Sequence, residues 1–102
     1  MNNVILNGVE YAPVKKDGEI KIAILQRGWV LIGRFERKGD DCFLHDASVI
    51  RNWGTTKGLG ELAQNGPTSS TKLDKCFGKV EFDNLTKIAT IEVNQEIWKN
   101  LL

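Results

Sequence analysis

The nine residues Trp29-Val30-Leu31-Ile32-Gly33-Arg34-Phe35-Glu36-Arg37 (WVLIGRFER) form the longest strand pattern in the chain. Gly33 lies in the middle of this pattern. A glycine inside a strand has no side chain to pack, and it usually marks a bend or a bulge. A strongly bent central strand is how a small β-barrel closes on itself. The stretch therefore predicts a β-rich domain organised around one bent strand.

Shorter strand patterns precede the central strand. Residues 20–25 alternate in a way that predicts a strand with one buried face. Nearer the N-terminus, residues 4–6 and 9–11 flank Asn7-Gly8. Because an Asn-Gly pair tolerates the positive φ angles of a type I′ turn, these two segments predict a small hairpin.

More short segments follow the central strand. Residues 42–45 and 49–51 predict two strands separated by Asp46-Ala47-Ser48, and residues 68–75 predict a polar loop. The last two strands are predicted from the alternation within residues 80–82 and 89–93.

Two segments change from strand to helix periodicity. In residues 58–65, Leu59, Leu62 and Ala63 share one helical face, with Gly58 at the N-cap and Gly66 suited to a left-handed C-terminal position. Near the C-terminus, Asn94 predicts the cap of a second helix. The apolar face of that second helix carries Ile97, Trp98 and Leu101.

Together these patterns predict one domain over residues 1–102, which is an ordinary domain length. Its class is mainly β, within β-rich α+β proteins. The predicted architecture is a small antiparallel barrel or sandwich with one short helix inserted after Trp53 and another at the C-terminus.

Composition excludes several functional classes. The formal net charge is +1, so strong non-specific binding to duplex nucleic acid is not expected. Cys42, Cys76 and the single histidine, His45, are too few for a structural zinc site, so we expect no metal and no cofactor. The apolar runs are far too short to span a bilayer, and the first residues do not resemble a signal peptide. These features predict a soluble cytoplasmic protein with each cysteine as a small core residue, although a disulfide between them stays open.

The segment from Arg51 to Gly58 is the leading candidate for a ligand site. Glycines at the start of a helix favour anion binding, Trp53 offers a stacking face, and threonine hydroxyls and cationic side chains lie between. The alternative interpretation is a strand-to-helix connection in which the threonines bond nearby backbone and Trp53 fills the core. The candidate residues are Arg51, Trp53, Thr55, Thr56, Lys57 and Gly58.

A second candidate site is a basic stripe along the central strand. It would bind RNA, single-stranded DNA or phosphates if its cations shared one face with an exposed aromatic side chain. Acidic residues at 36, 40 and 41 are interspersed, which favours a charge-balanced, solvated face. The stripe consists of Arg27, Arg34, Arg37 and Lys38.

Other polar and aromatic residues are assigned structural roles. Catalysis by His45 would need a nucleophile brought to it by folding, and no nucleophile-elbow motif is present, so no enzyme activity is predicted. Trp29 and Trp98 lie in apolar patterns, and we expect both to lie in the core.

Two resemblances arise from these residues. Residues 22–51 resemble the strand, bent strand, turn and strand of Sm-like and SH3-like small barrels. Arg51-x-Trp53, then Leu59-x-Glu61-Leu62-Ala63-x-x-Gly66 and a late Ala-Thr-Ile-Glu-Val strand, are similar to small proteins encoded by phages and prophages. The second resemblance implies a phage context, in which short proteins often act by binding, including inhibition of host defence.

These considerations predict a non-catalytic binding protein of phage or prophage type in the host cytosol. It would counter host defence by occluding a host protein or by sequestering a nucleotide-like signal. The alternative is a small-barrel protein that binds RNA or single-stranded DNA. Exposed strand edges also favour a homo-oligomer.

Overall fold

A computed structural model describes residues 4–6, 9–11 and 18–102. The predicted mainly β class is confirmed, with a six-stranded antiparallel sheet, a separate two-stranded hairpin and two short helices. The strands are β1 (Val4–Leu6), β2 (Val9–Tyr11), β3 (Ile20–Leu25), β4 (Val30–Lys38), β5 (Asp41–Asn52), β6 (Lys72–Lys75), β7 (Val80–Asp83) and β8 (Lys87–Glu92). The helices are α1 (Leu59–Asn65) and α2 (Gln95–Trp98).

The large sheet has the order β6-β5-β4-β3-β8. β7 pairs with the first part of β5, and β6 pairs with its last part, so both lie along the same edge. Within the described residues no pairing joins β8 to β6 or β7, so the sheet does not close into a barrel. β1 and β2 pair antiparallel as predicted. The predicted Asn7-Gly8 turn lies outside the described residues.

Gly33 marks a bulge, as predicted. Between Ile32 and Arg34 the register of β4 against β5 shifts, so β5 carries one extra residue there. A Cβ atom on Gly33 would lie 2.9 Å from the carbonyl oxygen of His45 and 3.3 Å from the Cα of Ala47. Only glycine allows β5 to approach this closely, because real Cβ atoms are not found at such a distance from backbone.

The strands after the central one differ from prediction at two places. The two short strands expected at 42–45 and 49–51 form the single strand β5, since the bulge absorbs the extra residue without ending the ladder. The polar loop expected over 68–75 ends in a strand, because Lys72–Lys75 pairs with β5. An edge strand keeps its backbone hydrogen bonds to one neighbour even when its side chains are mostly polar.

The two faces of the sheet bury separate apolar clusters. On one face, α1 and α2 cover the strands, and the indole Nε1 of Trp98 donates to the carbonyl oxygen of Ala63 at 3.1 Å. The second cluster lies on the opposite face. The first contains Ile20, Ile22, Ile32, Ile50, Leu62, Ala63, Val93 and Trp98, and the second contains Ala23, Leu25, Leu31, Leu44 and Ala47.

The predicted bounds of α1 and the predicted start of α2 are confirmed, but α2 ends at Trp98, so Leu101, expected on its apolar face, lies beyond the helix and is exposed. Gly58 is the N-cap of α1, and Gly66 follows the helix with φ +86°, where its N–H donates to the carbonyl of Leu62. The Asn94 side chain accepts hydrogen bonds from the N–H groups of residues 96 and 97 and caps α2. Neither α1 nor α2, nor any other helix in the described part of the chain, has the length and apolar character needed to cross a membrane.

Gln95 links α2 to the start of β3. Its Oε1 accepts from the N–H of Ile20, and its Nε2 donates to the carbonyl of Ile20, each at 2.8 Å. The side-chain amide thus pairs with this residue as a neighbouring strand would. Ile20 is fully buried, and these two bonds satisfy its backbone N–H and carbonyl groups.

We expect Gln95→Ala to lower the free energy of unfolding by about 1–3 kcal/mol, because it leaves buried backbone donor and acceptor groups without partners. Urea denaturation followed by circular dichroism measures this loss. Gln64→Ala is the matched control: its side chain is exposed and makes a single 3.5 Å hydrogen bond, to the carbonyl of Glu92, so we expect little change. Equal losses for the two variants would contradict a structural role for the Gln95 bridge.

Candidate functional site

Arg51 begins the segment predicted to bind a ligand. Its Nε lies 2.6 Å from Oδ2 of Asp74, and both side chains are more than half exposed. An exposed ion pair of this kind contributes little to stability and can open when another anion competes for the guanidinium. Arg51 is therefore available to a ligand at low energetic cost.

The polar groups that follow Arg51 form hydrogen bonds with one another near the start of α1. The hydroxyl of Thr55 donates to the carbonyl of Gly58 at 2.5 Å. The Glu61 carboxylate accepts from the hydroxyl of Thr56 at 3.3 Å and from the N–H of Lys57 at 2.9 Å. These bonds stabilise the start of α1, as the connection interpretation requires.

Gly54 packs the segment against the loop that precedes β6. Its φ is +69°, and a Cβ atom there would lie 2.4 Å from the N of Thr71. The Thr71 hydroxyl donates to the carbonyl of Trp53, and the Thr68 hydroxyl donates to that of Gly54. The Trp53 side chain stays 43% exposed, so the segment is braced through its backbone while the indole faces solvent.

The predicted basic stripe is not brought to one face. Arg34 is 9% exposed, lies 3.5 Å from Asp46, and donates to the carbonyl of Lys99 at 3.3 Å. Arg37 donates from Nε to the carbonyl of Gly39 at 2.6 Å, in the turn between β4 and β5. Lys38 lies in the same region, 3.6 Å from Glu36. Arg27 is at the other end of β4, in the 3-10 turn at Gln26–Gly28.

Trp29 is the aromatic residue that sequence reasoning misplaced. Trp98 is fully buried, as predicted, but the prediction that Trp29 lies in the core is wrong because its side chain is 51% exposed. Trp29 directly precedes β4. It lines a groove of about 290 Å³ together with Arg27 and Arg51.

An apolar groove of about 350 Å³ lies on the other side of Trp29. It shares Trp29 and Val49 with the cationic groove, so the two grooves meet at these residues and are treated together as one surface. We call this surface the Trp29 groove. Its apolar part is lined by Leu25, Leu31, Val49, Cys76, Val80 and Phe82, with Glu81 at its margin.

Strand pairing brings Arg51 to Trp29. Leu31 pairs with Val49 at the end of the β4–β5 ladder, and Trp29 and Arg51 each lie two residues beyond this pair and line the same groove. Antiparallel pairing of the two strands predicted at 29–37 and 49–51 would be enough to predict that Arg51 lies near Trp29. The bulge had to be positioned correctly, however, because an error of one residue moves Arg51 to the other face.

The remaining candidates have structural partners. His45 Nε2 lies 2.8 Å from Glu36 Oε1, and the His45 ring stacks on Phe43 with centroids 6.3 Å apart. Both cysteines are free thiols: Cys42 is buried, as predicted, and Cys76 is half-buried in the Trp29 groove. The described residues contain no group of three or more His, Cys, Asp or Glu side chains placed to hold a metal ion.

The chain was compared with known families and proteins on the basis of its sequence. A scan against protein-family models finds no match, and a search of curated proteins finds no significant match.

Proposed function

We propose that the protein is a non-catalytic binding protein that sequesters a nucleotide-like small molecule in the Trp29 groove. The observation that supports this most directly is the placement of a half-exposed indole between two arginines and an apolar groove. A planar base stacks on such an indole, and a guanidinium binds phosphate through paired N–H donors. The proposal keeps Arg51 from the predicted site and replaces Trp53 by Trp29 as the stacking residue.

The dimensions and charge of the groove agree with such a ligand. Its two parts, of about 290 and 350 Å³, have the size of small-molecule sites in proteins. The cationic part holds Arg27 and Arg51, and the apolar part lies beyond Trp29. We therefore place the phosphate at the arginines and the base against the indole.

Arg27 is held toward this surface by its backbone. Its φ is +67°, and Gly28 after it has φ +82°, so the chain makes a tight left-handed turn before Trp29. The N–H of Leu25 donates to the carbonyl of Trp29 at 2.8 Å and closes the turn. A non-glycine residue rarely adopts this conformation, and such residues are found disproportionately at binding sites.

The biological setting of the proposal rests on the resemblance to phage and prophage proteins. We propose that the protein acts in the host cytosol and removes a nucleotide-like signal that host defence requires. Occlusion of a host protein is the other form that this activity would take. A homo-oligomer formed through exposed strand edges is compatible with either form.

The test is native mass spectrometry of the protein purified from cells, before and after mild denaturation. We expect a small nucleotide-like molecule to accompany the folded protein and to be released on unfolding. The released molecule, once identified by its mass, is then titrated into Trp29→Ala and Trp53→Ala by calorimetry. We expect a dissociation constant about 5- to 150-fold larger for Trp29→Ala, since a stacked base contributes about 1–3 kcal/mol.

The two tryptophan variants distinguish the two candidate sites. Both side chains are about half exposed, so neither substitution removes a fully buried group. Loss of binding in Trp53→Ala alone would assign the ligand to the Arg51–Gly58 segment instead. No co-purifying small molecule, together with a discrete bound host protein, would contradict sequestration.

A second candidate function is binding to RNA or single-stranded DNA. The observation in its favour is that Arg27 lies beside the exposed Trp29, although Arg34 and Arg37 lie elsewhere. This function predicts that affinity for an oligonucleotide rises with length and falls steeply with salt concentration. Affinity for a mononucleotide equal to that for an oligonucleotide would exclude it.

A further inference from the structure

Two bulges lie side by side in the large sheet. The extra residue of β5 against β4 lies near Asp46, and the chain between β6 and β7 carries one extra residue against β5, near Phe77. Both residues have left-handed backbone, with φ +54° at Asp46 and +55° at Phe77. Bulges change the direction of side chains and occur frequently beside functional sites.

Phe77 lowers the stability of the isolated chain, or fails to add to it, in two respects. Its side chain is 92% exposed, so it contributes little to the core. Its backbone occupies a region that costs an aromatic residue free energy, which glycine at the same position would avoid. In the described part of the chain, no hydrogen bond or core packing of the Phe77 side chain offsets these costs, and this indicates a contact outside it.

The backbone around Phe77 is fixed. The N–H of Cys76 donates to the carbonyl of Ala47 at 2.9 Å, and the N–H of Ala47 donates to the carbonyl of Gly78 at 3.2 Å. These two bonds attach the residues on each side of Phe77 to β5. The aromatic ring is therefore presented from a braced position, which lowers the entropy lost when a ligand binds.

A cavity of about 440 Å³ adjoins the ring. Aliphatic groups contribute much of its lining, and Lys75 is the cation within it. Asp46, the acidic residue of the lining, lies 3.5 Å from the buried Arg34, which offsets its charge. In the described part of the chain Lys75 has no ion pair. The lining is completed by Ala47, Ser48, Gly78 and Leu102.

We infer that this cavity is a second binding site, separate from the Trp29 groove, for an anion that carries a flat aromatic ring. The ring stacks on Phe77, and the apolar body contacts Leu102. The anionic group, a carboxylate or a phosphate, pairs with the ammonium of Lys75. The inference does not depend on the proposed function, because the two sites have no lining residue in common.

The test is a titration with phenyl phosphate followed by ¹⁵N–¹H NMR, with inorganic phosphate as the probe that lacks the ring. We expect saturable shifts at residues 46–48 and 75–78 for phenyl phosphate, in the millimolar range for so small a ligand. Inorganic phosphate should bind at least tenfold more weakly. The reverse order, or shifts confined to residues 27–30 and 49–51, would overturn the inference.

Three variants complete the experiment. Phe77→Gly and Lys75→Ala should each weaken phenyl phosphate binding at least fivefold, and Lys72→Ala, an exposed lysine of β6 outside the cavity, should not change it. Phe77→Gly should also raise the melting temperature, because it removes left-handed strain and an exposed aromatic ring. Unchanged binding in Phe77→Gly would overturn the inference, and so would a lowered melting temperature, since it would show that Phe77 stabilises the fold.

Discussion

Replacing Trp98 by alanine is expected to lower the free energy of unfolding by about 3–5 kcal/mol. The Trp98 side chain is fully buried between α1 and the sheet, and its Nε1–H donates to the carbonyl of Ala63 at 3.1 Å. The substitution removes a large apolar group, leaves a cavity, and removes one of the two donors of the Ala63 carbonyl, which also accepts from the N–H of Asn94 at 2.9 Å. A domain of this size has about 5–15 kcal/mol of stability in total, so the loss is a large fraction.

Urea denaturation measures the effect, with Trp29→Ala as the matched control. Both variants remove an indole, but Trp29 is 51% exposed and has no buried hydrogen bond to lose. We expect the control to lose no more than about half as much, in proportion to the apolar area removed from contact. Equal losses would mean that α2 is not packed on the sheet as described. A small loss in the control also shows that Trp29→Ala is suitable for binding measurements.

The second large effect is expected for Gly54→Ala, at about 2–5 kcal/mol of destabilisation. A Cβ atom at this position would lie 2.4 Å from the N and 2.8 Å from the Cα of Thr71. These are backbone atoms, so the clash is relieved only if the whole loop before β6 moves away from the segment before α1. The φ of +69° adds the cost of left-handed backbone for alanine.

Gly60→Ala provides the control for this prediction. Gly60 lies inside α1, and a Cβ atom there would meet no other atom within 4 Å. Alanine is favoured over glycine in a helix by up to about 1 kcal/mol, so we expect Gly60→Ala to stabilise the protein slightly. Thermal unfolding of both variants measures these two changes in stability. If Gly54→Ala were as stable as the wild type, the contact between the two loops would not exist in solution.

Local chemistry explains which parts of the fold were predictable. Gly33 identified the bulge, Gly58 and Gly66 bounded α1, and Asn94 capped α2, because each of these depends on backbone geometry within a few residues. The mainly β class followed from alternation, which reports on the face that a strand buries.

Features that depend on distant neighbours were not predictable in this way. Lys72–Lys75 forms a strand because its backbone pairs with β5, and its own polar sequence has no strand pattern. The exposure of Trp29 depends on what covers the end of β4, and its apolar neighbours suggested the opposite. At the candidate site, the sequence singled out Arg51 but not Trp29, which lines the same groove.

The hydrogen bonds between Gln95 and Ile20 also bear on the order in which the protein folds. These residues are 75 positions apart, whereas β3, β4 and β5 are joined by short turns. Closing a long loop costs more chain entropy than closing a short one, so the β3–β4–β5 meander should form before α2 docks. Interactions that form after the rate-limiting barrier mainly slow unfolding. Contacts of the C-terminal helix would then set the unfolding rate, and so the lifetime of the folded protein. Contacts within the central meander would set the folding rate.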